Sequence, residues 1–169
     1  SKVNDDCMAE FEALIRPGIT EKEMAEAIRG IYAAHGCSGV SFPPICGFGA
    51  HAADPHHDND DTPLEAGQCV LIDVGGVYQD YCSDMTRTFF TGEPSEEERK
   101  VYELVRQAQA AAEALVKPGV RLCDIDAAAR DLITEAGYGP YFNHRLGHFI
   151  GLEDHEAGDV SAVKEKVVT

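Results

Sequence analysis

Residues 12–18, EALIRPG, return almost unchanged as EALVKPG at 113–119, and the chain after each copy keeps the same rhythm. At this offset of 101 (Gly18 to Gly119), Ala27 aligns with Ala128, Ile31 with Leu132, and Gly36 with Gly137. Further on, Phe42 and Phe142 lie 100 apart, and His56 and His155 lie 99 apart. A helix, Pro-Gly break, helix and strand therefore occur twice. Self-similarity on this scale restricts the fold more than any single motif, because each copy must adopt the same supersecondary unit. It predicts two similar halves related by a pseudo-two-fold axis, within a chain of 169 residues that is long enough for one real core.

Local signals fill in the units. Residues 2–15 are helix-compatible and end at Arg16-Pro17-Gly18. Thr20 and Glu23 form a capping box for a helix that runs to His35, with Gly36 beyond it. Residues 41–50 read as extended, 51–63 as a polar loop, and 69–90 as a hairpin rich in Val, Ile, Tyr, Thr and Phe. Ser95 and Glu98 form a second capping box, opening a helix to about Val116 that stops at Lys117-Pro118-Gly119. Another helix covers 124–136 and ends at Gly137, after which the chain is extended and punctuated by glycine.

Thirty acidic against fourteen basic residues give a formal net charge of −16. That excludes a nucleic-acid partner, which needs a basic face, and disfavours an anionic membrane surface. The six cysteines show no CxxC, and several lie in apolar runs such as QCVLID. They read as reduced thiols, buried for the most part, of an intracellular protein. With no apolar stretch long enough to span a membrane and no signal-peptide core, the expected compartment is the cytoplasm.

The chemistry concentrates in the hairpin. Asp73 in LIDVGG and Asp84 in YCSDMTRTF lie eleven residues apart in β-like runs. A turn centred between Tyr78 and Gln79 makes them direct cross-strand partners, with Cβ atoms about 4.5–5.5 Å apart. Two carboxylates that close repel unless a cation lies between them. His148 in RLGHFIG supplies a nitrogen ligand, and the set of two carboxylates and one imidazole suits Mn²⁺, Co²⁺, Fe²⁺ or Zn²⁺. His144 and His148 stand four apart, but Gly147 and Gly151 argue against a helical zinc pair. By the repeat, His56 and His155 correspond and are expected to face each other across the site, where imidazoles can hold a carbonyl or donate to a tetrahedral intermediate. His57 has no assigned role. DPHHDNDD lacks the central glycine and terminal glutamate of a calcium loop.

GFGAHAADPHH, VLIDVGGVYQDYCSDMTRTFFTG, KPG…DIDAAARDLI and FNHRLGHFIGLEDHE resemble, in order and spacing, the motifs of the pita-bread (creatinase/aminopeptidase) metallopeptidase family over residues 5–160. The resemblance looks closest to the Xaa-Pro peptidases, prolidase and aminopeptidase P. It implies an α+β pita-bread fold, with pseudo-two-fold helix–strand repeats around a curved antiparallel sheet, incomplete at the C-terminus, and a partial catalytic domain over 1–169. It matches Asp73, Asp84 and His148 to metal ligands, and His56, His144 and His155 to histidines that handle the substrate or the reaction intermediate. The implied activity is hydrolysis of the bond before proline by a hydroxide held between two divalent ions, Mn²⁺ first, with Co²⁺, Zn²⁺ and Fe²⁺ as alternatives. The implied partner is a peptide or dipeptide with proline after the scissile bond, and a homodimer is left open. Methionine aminopeptidase activity and a non-catalytic peptide- or protein-binding module are the rival readings.

Two departures stand out. The family motif reads GHGIG or GHGVG where this chain has GHFIG, which predicts that Phe149 narrows the site. The family's last two metal ligands are glutamates of EPG and RIED motifs, and neither motif occurs before Thr169. The chain as it stands is therefore expected to be inactive alone, with an equivalent second hairpin lying beyond its end.

Overall fold

A computed structural model describes residues 2–169. They form two compact units, residues 2–94 with 150–154, and residues 95–149 with 155–169.

In the first unit, α1 (Lys2–Ala13) and α2 (Glu21–Ala34) pack together, with the Phe11 and Tyr32 rings edge to face at 5.2 Å. Helix α2 buries Met24, Ile28 and Tyr32, spaced four apart so that one stripe faces the core. That stripe joins Cys46, Phe48, Val70, Ile72, Val74 and Met85 from an antiparallel sheet of β2 (Ile45–Phe48), β3 (Cys69–Val74) and β6 (Met85–Phe90), with β3 central. Burial alternates along β3. Val70, Ile72 and Val74 point inward, while Cys69, Leu71 and Asp73 are half-buried. Burial pushes the Cys46 thiol up to about 12 and the Cys7 thiol to about 11, so both are inert packing groups. All six cysteines are free.

Beyond Val74 the hairpin changes sheets. Strand β4 (Gly76–Tyr78) pairs with β1 (Gly39–Val40) on one side and β5 (Tyr81–Cys82) on the other. Gly75 sits at the crossover, where a Cβ would lie 1.8 Å from the Ser83 carbonyl oxygen, so no side chain fits. The turn falls one residue later than the sequence suggests. Tyr78 pairs with Tyr81 around Gln79 and Asp80, both left-handed with φ of 51° and 68°. This matches a two-residue turn of the type that suits strand twist. Asp73 consequently stands opposite Thr86, not Asp84. A two-residue change of register leaves the paired side chains of β3 and β6 on their original faces, so Asp73 exchanges Asp84 for Thr86 as its partner.

In the second unit, α3 (Glu96–Glu113) lays Ala108 and Ala112 against Leu122, Ile125, Ala129 and Ile133 of α4 (Leu122–Glu135). Helix α3 ends at Glu113, short of Val116, and α4 begins at Leu122, two residues before the expected start. Strands β7 (Gly147–Phe149) and β8 (Glu156–Val160) form an antiparallel ribbon with an irregularity between His148 and Phe149. The Phe149 ring packs against this unit's core and lies over Gly158, so it is engaged in packing. Both expected capping boxes are present, Thr20 with Glu23 and Ser95 with Glu98. Among the described residues, no helix is long and apolar enough to cross a membrane.

The repeat is visible in each backbone. Gly18, Gly36, Gly119 and Gly137 all take positive φ, 91°, 81°, 88° and 91°, ending corresponding helices or links. In the first unit Gly18 N–H donates to Leu64 O at 2.8 Å, Leu64 N–H to Ile19 O at 2.8 Å, and Lys22 N–H to Asp60 O at 3.2 Å. In the second, Gly119 N–H donates to Val168 O at 2.8 Å, Val168 N–H to Val120 O at 2.9 Å, and Cys123 N–H to Lys164 O at 2.8 Å. Helix-side positions differ by 101 throughout, so the same short ladder closes both helix–helix links.

Candidate metal and substrate site

Strand β3 presents Asp73 because its neighbours Ile72 and Val74 take the buried face. Thr86 Oγ1 donates to Asp73 Oδ1 at 2.7 Å, which fixes one carboxylate oxygen and leaves the group oriented. Asp84 is exposed and lies one residue before β6, in the short link from β5. Burial holds the Tyr32 phenol well above its usual range, and the negative charges of Asp84 and Asp73 add to that effect. Both aspartates are thus felt at one buried hydroxyl. Their donor chemistry, hard carboxylate oxygen, fits a divalent cation.

His56 lies exposed on the loop between β2 and β3, just after a 3₁₀ turn at Gly49–Ala53. Its N–H donates to Asp54 Oδ1 at 2.9 Å, an Asx-type turn. Beneath the loop is a group that the sequence did not single out. Glu21, in the first turn of α2, is fully buried. Its Oε1 accepts from Phe48 N–H at 3.0 Å and His51 Nδ1–H at 2.9 Å. Its Oε2 accepts from His57 Nε2–H at 2.6 Å and Asp60 N–H at 3.1 Å. Burial alone would raise this carboxyl, but the four donors outweigh it and hold it below the usual range. Glu21 in turn raises His51 above the usual imidazole value. Glu21, His51 and His57 are the one trio among the described residues whose ligating atoms all lie within 4.8 Å of each other. The only sequence signal for it was a carboxylate beside a capping box and two histidines in one loop, with no period linking them.

In the second unit His148 and His155 come together, their ring centroids 4.2 Å apart and tilted by 44°. His148 Nδ1–H donates to Phe149 O at 3.1 Å, which makes Nε2 the basic nitrogen, the form a metal ligand needs. His144 is in irregular chain before β7, so the helical pair with His148 is excluded. Its Nδ1–H donates to Arg145 O at 3.0 Å. Its carbonyl accepts from Arg130 Nη2–H at 3.0 Å, and Arg130 Nη1–H reaches Phe142 O at 2.8 Å. Arg130 is held in turn by fully buried Asp126, through bonds of 2.7 and 2.9 Å.

Comparison with known proteins identifies the family and the fold. The family model described as metallopeptidase family M24 matches residues 1–168. An uncharacterized peptidase of Staphylococcus aureus is 41% identical over 168 residues, covering 99% of this chain and 48% of its own length. The crystal structure of an X-Pro aminopeptidase from Thermotoga maritima superimposes with a TM-score of 0.95 at 38% identity, covering 99% of this chain and 47% of that one. A prolidase from Pyrococcus furiosus gives 0.96 at 37% identity, covering 99% and 50%. The fold is the α+β pita-bread architecture of these peptidases, and the chain spans about half the length of the curated relatives it matches.

Proposed function

The chain belongs to metallopeptidase family M24, and on that premise we propose that residues 1–169 form part of a catalytic domain that cleaves the peptide bond before proline. What supports this reading is Asp73 on β3, bonded to Thr86 of β6, with the exposed Asp84 one residue before β6. With His148 Nε2 they would hold a pair of divalent ions, Mn²⁺ first. When bound, such ions supply Lewis-acid polarisation of the scissile carbonyl and lower the pKa of water.

The chain's own groups do the rest. Thr86 keeps the Asp73 carboxylate oriented, and the Phe149 carbonyl keeps the His148 proton on Nδ1. His155, against the His148 ring, and His56, on its anchored loop, donate hydrogen bonds to the developing negative charge. His144, whose backbone is tied to α4 through Arg130, orients the substrate. The proposed substrate is a dipeptide or peptide with proline after the scissile bond, and the proposed compartment is the cytoplasm. A homodimer is a matter for sedimentation.

The test is turnover of Ala-Pro against a Met-initiated peptide by the whole protein loaded with Mn²⁺. Preference for Ala-Pro, abolished in Asp73→Asn and Asp84→Asn, is expected. Preference for the Met peptide, or no metal bound at all, would sink the proposal.

A further inference from the structure

Four hydrogen bonds from one side chain grip the His56 loop at residues 48, 51, 57 and 60. The loop's start, its two inward imidazoles and its exit converge on Glu21. A carboxylate offers about four lone-pair sites, and all are taken by N–H donors. His57 is 11% exposed and points inward, while its neighbour His56 is exposed. The backbone at His56 is therefore anchored through its neighbour His57. Asn59 adds a second tie, accepting from Cys46 N–H at 2.8 Å and donating to Pro44 O at 2.7 Å.

We propose that Glu21 is a positioning residue for His56, acting through His57, and this rests on the reading of His56 as a substrate-handling group. No Lys or Arg shares in these bonds: the donors are two imidazoles and two backbone amides. The inward imidazole nitrogens are donors here, so the trio is a hydrogen-bonded anchor that leaves no carboxylate lone pair for a cation. Misplacing a reacting group by about 1 Å can lower a rate about 10²-fold, so a loosened loop has a large readout.

The experiment measures kcat and KM for Ala-Pro in the whole Mn²⁺-loaded protein. Glu21→Gln is expected to lower kcat between about 10-fold and 10²-fold with KM little changed. His57→Phe, which keeps the volume without the donor, should do the same on a smaller scale, and His57→Gln should restore part of the loss. In a His56→Ala background, Glu21→Gln should have no further effect, because coupled residues are non-additive. A Glu21→Gln loss that multiplies with that of His56→Ala overturns the positioning role alone. Full activity in His56→Ala overturns both this role and the reading beneath it. If Glu21→Gln does not fold, His57→Phe and His57→Gln decide by the same cycle. Stoichiometric Zn²⁺ binding by an Asp73→Asn/Asp84→Asn chain, lost in His57→Phe, would also overturn the hydrogen-bonded assignment.

Discussion

Glu21 on α2 and Asp126 on α4 are both fully buried carboxylates on the second helix of their unit, and each secures a loop further along the chain. They do it with opposite polarity. Glu21 collects N–H donors directly, two of them backbone and two imidazole. Asp126 binds Arg130, whose remaining N–H groups reach the carbonyls of Phe142 and His144, with the guanidinium 4.2 Å over the Phe142 ring. One loop is therefore held by its amides and the other by its carbonyls. The backbone of the repeat is kept, down to four left-handed glycines, while the side chains that fasten each loop were settled separately. A duplicated scaffold fixes where a loop must be tied, and the inward-facing backbone groups decide which chemistry ties it.

The sharpest way to break this comparison is Asp126→Ala. It strands a partly buried guanidinium and should cost about 3–5 kcal/mol in denaturant unfolding of the chain. A loss under about 1 kcal/mol would show that the two carbonyls hold Arg130 without help. Glu21→Gln comes next. It replaces charge-assisted bonds and should cost about 2 kcal/mol. Its signature is pH dependence. A carboxyl held below its ordinary value binds fewer protons folded than unfolded, so its contribution is present above the ordinary carboxylate range and is lost as pH falls through the lowered value. His51 has the opposite sign, contributing below the ordinary imidazole value and losing that contribution as pH rises through its raised one. An acid limb that survives in Glu21→Gln would remove Glu21 from that account.

Smaller and more symmetrical effects test the backbone side. Gly18→Ala and Gly119→Ala add a Cβ with nothing within 4 Å, so only the left-handed backbone is penalised. Each should lose about 1–2 kcal/mol, by amounts that agree closely and add in the double variant. Unequal losses would mean that the two links are not equivalent. The smallest contrast is at the caps. Thr20→Ala removes a capping box and should cost about 1 kcal/mol, whereas Arg121→Ala, at an N-cap with no side-chain capping bond and an exposed ion pair to Asp124, should change less.

What was legible in the sequence was local or repeated. Capping boxes, Pro-Gly breaks and helix-ending glycines marked all four helices, because each is written in a few adjacent residues. The hairpin was legible as a hairpin. Its register was not, since Gln79 and Asp80 take left-handed conformations that favour glycine or asparagine, and nothing in their identity announces it. Opposing the aspartates was the simpler hypothesis and moved the turn by one residue. The approach of His148 and His155 followed from pairing β7 with β8, and the repeat hinted at their importance without placing them. Glu21 with His51 and His57 was unreadable for a different reason. Its members are 30 and 36 residues apart, and only the folded loop brings them to one carboxylate.

The ladders that close the two helix links have a consequence for how the protein can diversify. Gly18 bonds to Leu64, 46 residues on, and Gly119 to Val168, 49 residues on. Loop entropy grows only with the logarithm of length, so the three extra residues add under about 0.1 kcal/mol. Both histidine-bearing segments lie inside these closed spans. Insertions and deletions in the connecting loops of these spans cost little loop entropy while they reshape what the histidines meet, so related chains can drift in substrate preference with their frames intact.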